Sequence, residues 1–209
     1  AITATISMLA ICLIATGFAA WQQDTRNREL EHEAVAAAAT RIAEDVQSAV
    51  TLYQHGLRGA RGTIITAGED GISRALFRQY SESRDIAVEF PGAGGFGFVR
   101  RVVASDRERF QLRARADGAP DFTLRQIAPH DGELYVIQYI EPASPNAQAI
   151  GLDIASEPFR RAATEKAMRS GETTLTAPIT LVQRPDFGAQ SFLLMMPVFR
   201  PGAATDTPE

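Results

Sequence analysis

The chain has 209 residues, 45% of them hydrophobic and 22% charged, the content of an ordinary folded protein with one large or two small cores. Lysine and arginine number 21 against 25 aspartates and glutamates, a formal net charge of −4 with the signs well mixed. No basic stripe follows a phosphate backbone, so nucleic acid is not an expected partner. The single cysteine, Cys12, excludes a disulfide within the chain and, set in an apolar run, reads as a small filler rather than a reactive thiol.

The first element is ITATISMLAICLIATGFAAW, residues 2–21, uncharged and long enough for the ~20 residues that cross a bilayer core. It predicts a transmembrane helix over 1–23, with Trp21 at the interface before the charged QQDTRNRELEHE. A cleaved signal peptide, with Ala15 and Gly17 near the cut, is the competing reading. The chain opens at Ala1, so charges that would fix its orientation are not in view. Val35, Ala39, Ile42, Val46, Val50, Tyr53 and Leu57 recur every three or four residues and predict one long stalk helix over 24–58. Such a stripe can also dimerise. The glycines of HGLRGARG stand where the helix is expected to end.

A mixed module follows over 59–200. Ser73 predicts the cap of a short helix, SRALFRQYSESRD. FGFVRRV alternates as a strand, with Phe96, Phe98 and Val102 on one face and Gly97, Val99 and Arg101 on the other. ASDRERFQLRARADG predicts a helix stopped at Gly118, with Phe110 and Leu112 inward. FTLRQIA and LYVIQYIEP then read as two strands in hairpin-like order around PHDGE, with PASPNAQ as a loop. IGLDI, the helix EPFRRAATEKAMRSG and ETTLTAPITLV give a strand, a helix and a strand with little slack; QSFLLMMPVFR closes the set, Pro197 marking its edge. The fold class is α+β: a membrane helix running into a stalk, then a largely antiparallel sheet with flanking helices. RPGAATDTPE, 201–209, reads as linker.

Catalytic patterns are missing. His32, His55 and His130 lie far apart, without metal-ligand spacing, and read as surface residues. PGAGGFGF precedes a strand instead of opening a helix, so it is a tight turn rather than a phosphate loop. No cofactor or metal is expected. Binding groups must then come from strands lining a cavity. Tyr135, Ile137 and Tyr139 are expected on one strand face, Val136, Gln138 and Ile140 on the other, with Glu141 at the end. Asp153 is placed to be buried, either as a structural carboxylate at the ASEP helix start or as a ligand group. Thr176 in LTAP offers a hydroxyl to a ligand or to the sheet. Met195 and Met196 read as core and rim, and Arg100 and Arg101 as a solvated pair.

FPGAGGFGFVRRV, DGAPDFTLRQI, YVIQYIEPAS, GLDIASEPFRRAATEKAMRSGETTLTAPITLV and FLLMMPVFR resemble, in order and spacing, the CHASE domain, the extracytoplasmic sensor of bacterial histidine kinases, diguanylate cyclases and plant cytokinin receptors. The likeness covers residues 58–200. It implies a stalk helix, tandem PAS-like modules between two membrane spans, and a small ligand in the module distal to the membrane. Thr176 matches the receptors' ligand-contacting threonine. Pro142, beside Glu141, stands where their adenine-contacting aspartate falls, and proline cannot accept that bond. The expected ligand-binding set is Glu141, Thr176, Tyr139, Met195, Phe98 and Asp153. A small-molecule ligand, the cell (inner) membrane and a second copy through the stalk are the expected partners. A structural or protein-interaction ectodomain and a secreted hydrolase are the rival readings.

Overall fold

The computed structural model describes residues 2–68, 71–182, 190–200 and 202; the side chains of residues 2–7 and 10–12, Cys12 among them, lie outside that description. The linker expected at 201–209 is, apart from Gly202, also outside it. The chain divides into two units, Ala1–Val50 and Thr51–Glu209. Helix α1 runs Ile2–Ala67. In the first unit, Met8, Leu9, Leu13, Ile14, Phe18 and Trp21 are exposed, as are Val35, Ile42 and Val46 farther on. Among the described residues no helix is long and apolar enough to cross a membrane; the span expected at 2–21 includes residues 2–7 and 10–12, whose side chains lie outside the description.

In the second unit, α1 does not stop at HGLRGARG but continues to Ala67. Those glycines serve close packing instead: a Cβ on Gly56 would lie 2.7 Å from the rings of Phe90 and Phe96. Tyr53, Leu57, Ile64 and Ala67 join a cluster with Ile72, Phe77, Phe90, Phe96, Phe98 and Tyr139. The helix ends at Gly68, whose φ of +78° suits a residue without Cβ.

Helix α2 (Arg74–Glu82) starts as expected, Ser73 Oγ accepting the Leu76 N–H at 3.2 Å. After the short α3 (Ile86–Glu89), strand β1 (Phe96–Val102) pairs antiparallel with β2 (Leu134–Glu141), and α4 (Arg107–Ala116) lies between them in sequence. Phe110 packs on Val102, Phe122, Leu134 and Val136, and Ala114 is buried, whereas Leu112, expected inward, is exposed. It stands two residues on from Phe110, more than half a turn round the helix.

FTLRQIA forms no hairpin with β2. Its backbone makes one parallel bridge, Arg125 N–H donating to Gly151 O at 2.9 Å and Asp153 N–H to Arg125 O at 2.8 Å. IGLDI likewise makes isolated bridges, because Asp153 turns the chain into a 3-10 turn at Ile154–Ser156. PASPNAQ, expected as loop, holds the short helix α5 (Ala143–Asn146). Helix α6 (Pro158–Ser170) is capped by Glu157, whose carboxylate accepts the N–H groups of Phe159 and Arg160, and ends at Gly171 with φ +70°. Strands β3 (Thr174–Leu175) and β4 (Leu194–Met195) pair antiparallel. The class is α+β, but among the described residues the larger sheet expected from sequence is two separate antiparallel pairs, β1–β2 and β3–β4.

Candidate functional site

Strand β2 organises the module. Phe98 pairs with Tyr139 and Val99 with Ile137, which leaves Gln138 without an opposite residue: a β-bulge. One extra residue reverses the alternation, so Tyr139 does not share a face with Tyr135 and Ile137 as strict period two predicts. Its ring stacks on Phe98, centroids 6.0 Å apart, in the cluster that holds the end of α1. Ile137 packs with Ala149, Leu152 and Ile154, and Val99, Val182 and Met195 lie against that second cluster.

The bulge anchors a buried polar clasp. Arg74 Nη2 donates to the Gln138 carbonyl at 3.1 Å, and Arg74 Nε to the Asp117 carbonyl at 3.2 Å. The Arg74 backbone N–H donates to the Asp117 carboxylate at 3.0 Å. Tyr139 Oη donates to Asp117 Oδ2 at 2.6 Å and accepts from Gln138 Nε2 at 2.9 Å, while Arg100 Nε reaches Gln138 Oε1 at 3.2 Å. Burial, with the Asp117 carboxylate as second cause, pushes the Tyr139 phenol well above its ordinary range. The Arg74 guanidinium also lies 5.2 Å from the Tyr139 ring centroid. The clasp joins the starts of α2, the end of α4 and the bulge, residues too far apart in sequence for spacing to relate them.

Asp153 is fully buried. Oδ1 accepts the N–H groups of Tyr135 and Ala155 at 2.9 and 3.0 Å, and Oδ2 lies 3.1 Å from Gln126 Nε2 and 2.6 Å from His130 Nε2. His130, read from sequence as a surface residue, is held here with its ring only 14% exposed. Glu141 is buried on Phe96's side of the sheet; Oε2 accepts the Ala143 N–H at 3.0 Å, and Arg78 Nε lies 3.4 Å from Oε1. Thr176 exchanges two bonds with Leu193: its N–H donates to Leu193 O and its hydroxyl accepts the Leu193 N–H, both at 3.0 Å. Met195 Sδ accepts from the Thr164 hydroxyl of α6 at 3.1 Å.

The six residues singled out from sequence therefore fall into groups. Phe98, Tyr139 and Glu141 share the face of β1–β2 turned to the end of α1 and to α2. Thr176 and Met195 lie on β3–β4 next to α6, and Met195 packs against the opposite face of β2. Strand β2 stands between Tyr139 and Met195, and Asp153 braces the bridge at Val136. Arg74, Asp117, Gln138 and Arg160 carry buried polar chemistry that no motif announced; a serine cap beside Arg74 and an Asp-Gly helix end at Asp117 were the nearest signals. Among the described residues no three His, Cys, Asp or Glu side chains gather to hold a metal.

Residues 70–209 match the family model of the CHASE domain, and the chain belongs to that family. CHASE is a sensory extracellular domain of signalling receptors and is not itself catalytic. No curated protein matches the chain.

Proposed function

We propose that the chain is the extracytoplasmic small-molecule sensor of a transmembrane receptor, a histidine kinase or diguanylate cyclase, in the cell (inner) membrane. The family match over residues 70–209 carries this reading. The exposed apolar residues from Met8 to Trp21 support anchoring through residues 2–21, and the exposed stripe through Val35, Ile42 and Val46 supports pairing with a second copy. The guest sits between α6, β3–β4 and the Ile137 face of β2, with Thr176 and Met195 against it and Asp153 fixing the wall behind. Phe98, Tyr139 and Glu141 shape the same strands from the other face. The guest shifts the receptor only by preferring one arrangement of the module, and α1 carries that preference onward.

A thermal-shift screen of the chain against a small-molecule library tests this. Binders should raise the melting temperature. Thr176→Val and Met195→Ala should diminish the shift; if both leave it intact, the pocket is elsewhere. A protein-interaction ectodomain is favoured by one observation, the side chains of Ile137 and Tyr139 filling both sides of β2. A library without a single binder, with dimerisation preserved, would select that reading.

A further inference from the structure

His130 lies in the turn between FTLRQIA and β2, and both of its ring nitrogens are engaged. Nδ1 is 3.2 Å from the Gly132 backbone nitrogen, and because a backbone N–H can only donate, Nδ1 is the acceptor. The ring proton is therefore on Nε2, which donates to Asp153 Oδ2 at 2.6 Å. One imidazole thus ties a fully buried carboxylate to a turn whose Asp131 and Gly132 are exposed.

The two ends of that tie differ in freedom. Asp153 is fixed by four donors, the N–H groups of Tyr135 and Ala155 on Oδ1 and the side chains of Gln126 and His130 on Oδ2. At the other end, a Cβ on Gly132 would lie 3.2 Å from Arg161 Nη1 and 3.4 Å from His130 Nδ1, so the α6 guanidinium and the imidazole meet at this glycine. Arg161 is itself pinned, its Nε donating to the Ala155 carbonyl at 2.8 Å. The remaining charges are engaged or in solvent: Glu133 pairs with Arg101 at 2.6 Å, Glu165 of α6 lies 3.6 Å from Arg169, and Asp131 is exposed.

Imidazole is the side chain whose ordinary range puts its change of charge between about pH 5 and 8. With Nε2 already protonated, the ring can take a proton from solvent only at Nδ1. There the new N–H meets the Gly132 N–H and the Arg161 guanidinium, both donors. We infer that the His130–Asp153 pair is an acid-sensitive switch: protonation turns the acceptor of the Gly132 N–H into a donor and drives the 130–132 turn away from Arg161, while Nε2 stays on Asp153. The wall braced by Asp153 keeps its bonds, and the change is confined to the turn and to the α6 guanidinium beside it. No guest takes part, so the outcome is independent of the sensor reading above.

The test follows His130 and Gly132 by NMR in the 209-residue chain, held in detergent micelles and isotopically labelled at histidine and glycine, from pH about 8 to pH about 5. Signals missing from His130→Gln and from Gly132→Ala identify the two residues. At the alkaline end Nε2 should carry the proton and Nδ1 none; on acidification Nδ1 should gain one while the Gly132 amide moves with the same midpoint. In His130→Gln, whose side-chain amide can still donate to Asp153, Gly132 should stay still over the whole range. Should that variant not fold, His32→Gln and His55→Gln identify the ring by elimination, and the unaltered chain decides alone. A proton on Nδ1 at the alkaline end, a ring still neutral at pH about 5, or a Gly132 amide that ignores the ring's titration would overturn the inference. So would a Gly132 response that persists in His130→Gln, which would assign it to Asp131 or Glu133.

Discussion

Gln138, the residue without a partner in β1, gives its carbonyl to Arg74 Nη2 at 3.1 Å, so the irregularity in the sheet is bonded to the first turn of α2. Arg74→Met removes the donor and strands the buried Gln138 carbonyl and the half-buried Asp117 carbonyl. The expected loss is about 2–4 kcal/mol, read as a lower midpoint in urea denaturation. A loss no larger than that of an exposed control such as Arg26→Met would mean that the clasp adds nothing.

Alkaline pH reports on the same cluster. The folded-state pKa of Tyr139 is raised above 10.0, first by burial and then by Asp117. Stability from the protonated phenol is therefore complete below pH about 10 and lost as pH climbs through the folded value. Tyr139→Phe should lower stability by about 1–2 kcal/mol at neutral pH and flatten its fall above pH about 10. Tyr135, raised chiefly by its own burial, accounts for the slope that remains. Identical alkaline slopes in the two proteins would assign the titration elsewhere.

Two glycines of α1 should respond in opposite senses to alanine. At Gly56 the new methyl would press on Phe90 and Phe96, and overpacking of about 1–3 kcal/mol outweighs the helix propensity gained. At Gly62 nothing lies within 4 Å, so alanine should stabilise by about 0.5–1 kcal/mol. Melting curves of both variants decide it, and destabilisation at Gly62 would show that helix packing there is misjudged.

Removing the Asp153 carboxylate should be costly irrespective of any ligand. Asp153→Ala leaves the N–H groups of Tyr135 and Ala155 unpaired, a loss of about 2–4 kcal/mol, whereas Asp153→Asn keeps one acceptor oxygen and costs less. Urea denaturation of the pair should show that order. Equal losses would point to the carboxylate's charge rather than its backbone bonds.

How far residues announced these features depended on the range of the interaction. Local signals read through well: Ser73 caps α2, Glu157 and Gly171 bracket α6, and the alternation in FGFVRRV and LYVIQYIE marks β1 and β2. The same glycine that breaks an isolated helix lets a packed one approach two phenylalanine rings, so HGLRGARG could not be resolved without its neighbours. FTLRQIA has strand composition, yet among the described residues its strand-like pairing is limited to the bridge between Arg125 and Leu152, and the N–H groups of Leu124 and Ile127 go to the side chains of Gln111 and Ser156. For the site, burial of Asp153 was foreseeable from its place after an apolar run, while the separation of Tyr139 from Met195 depended on a bulge that leaves no compositional trace. His130 gave no hint of its carboxylate because the two lie 23 positions apart.

That bulge changes what a labelling experiment on this strand would measure. Reporters placed two positions apart normally watch the same surface, but Ile137 and Tyr139 look out on opposite layers. A fluorophore or spin probe at each would monitor the α6 compartment and the α1 compartment separately from adjacent rungs, so any lag between the two signals would time the passage of a disturbance through a wall one strand thick.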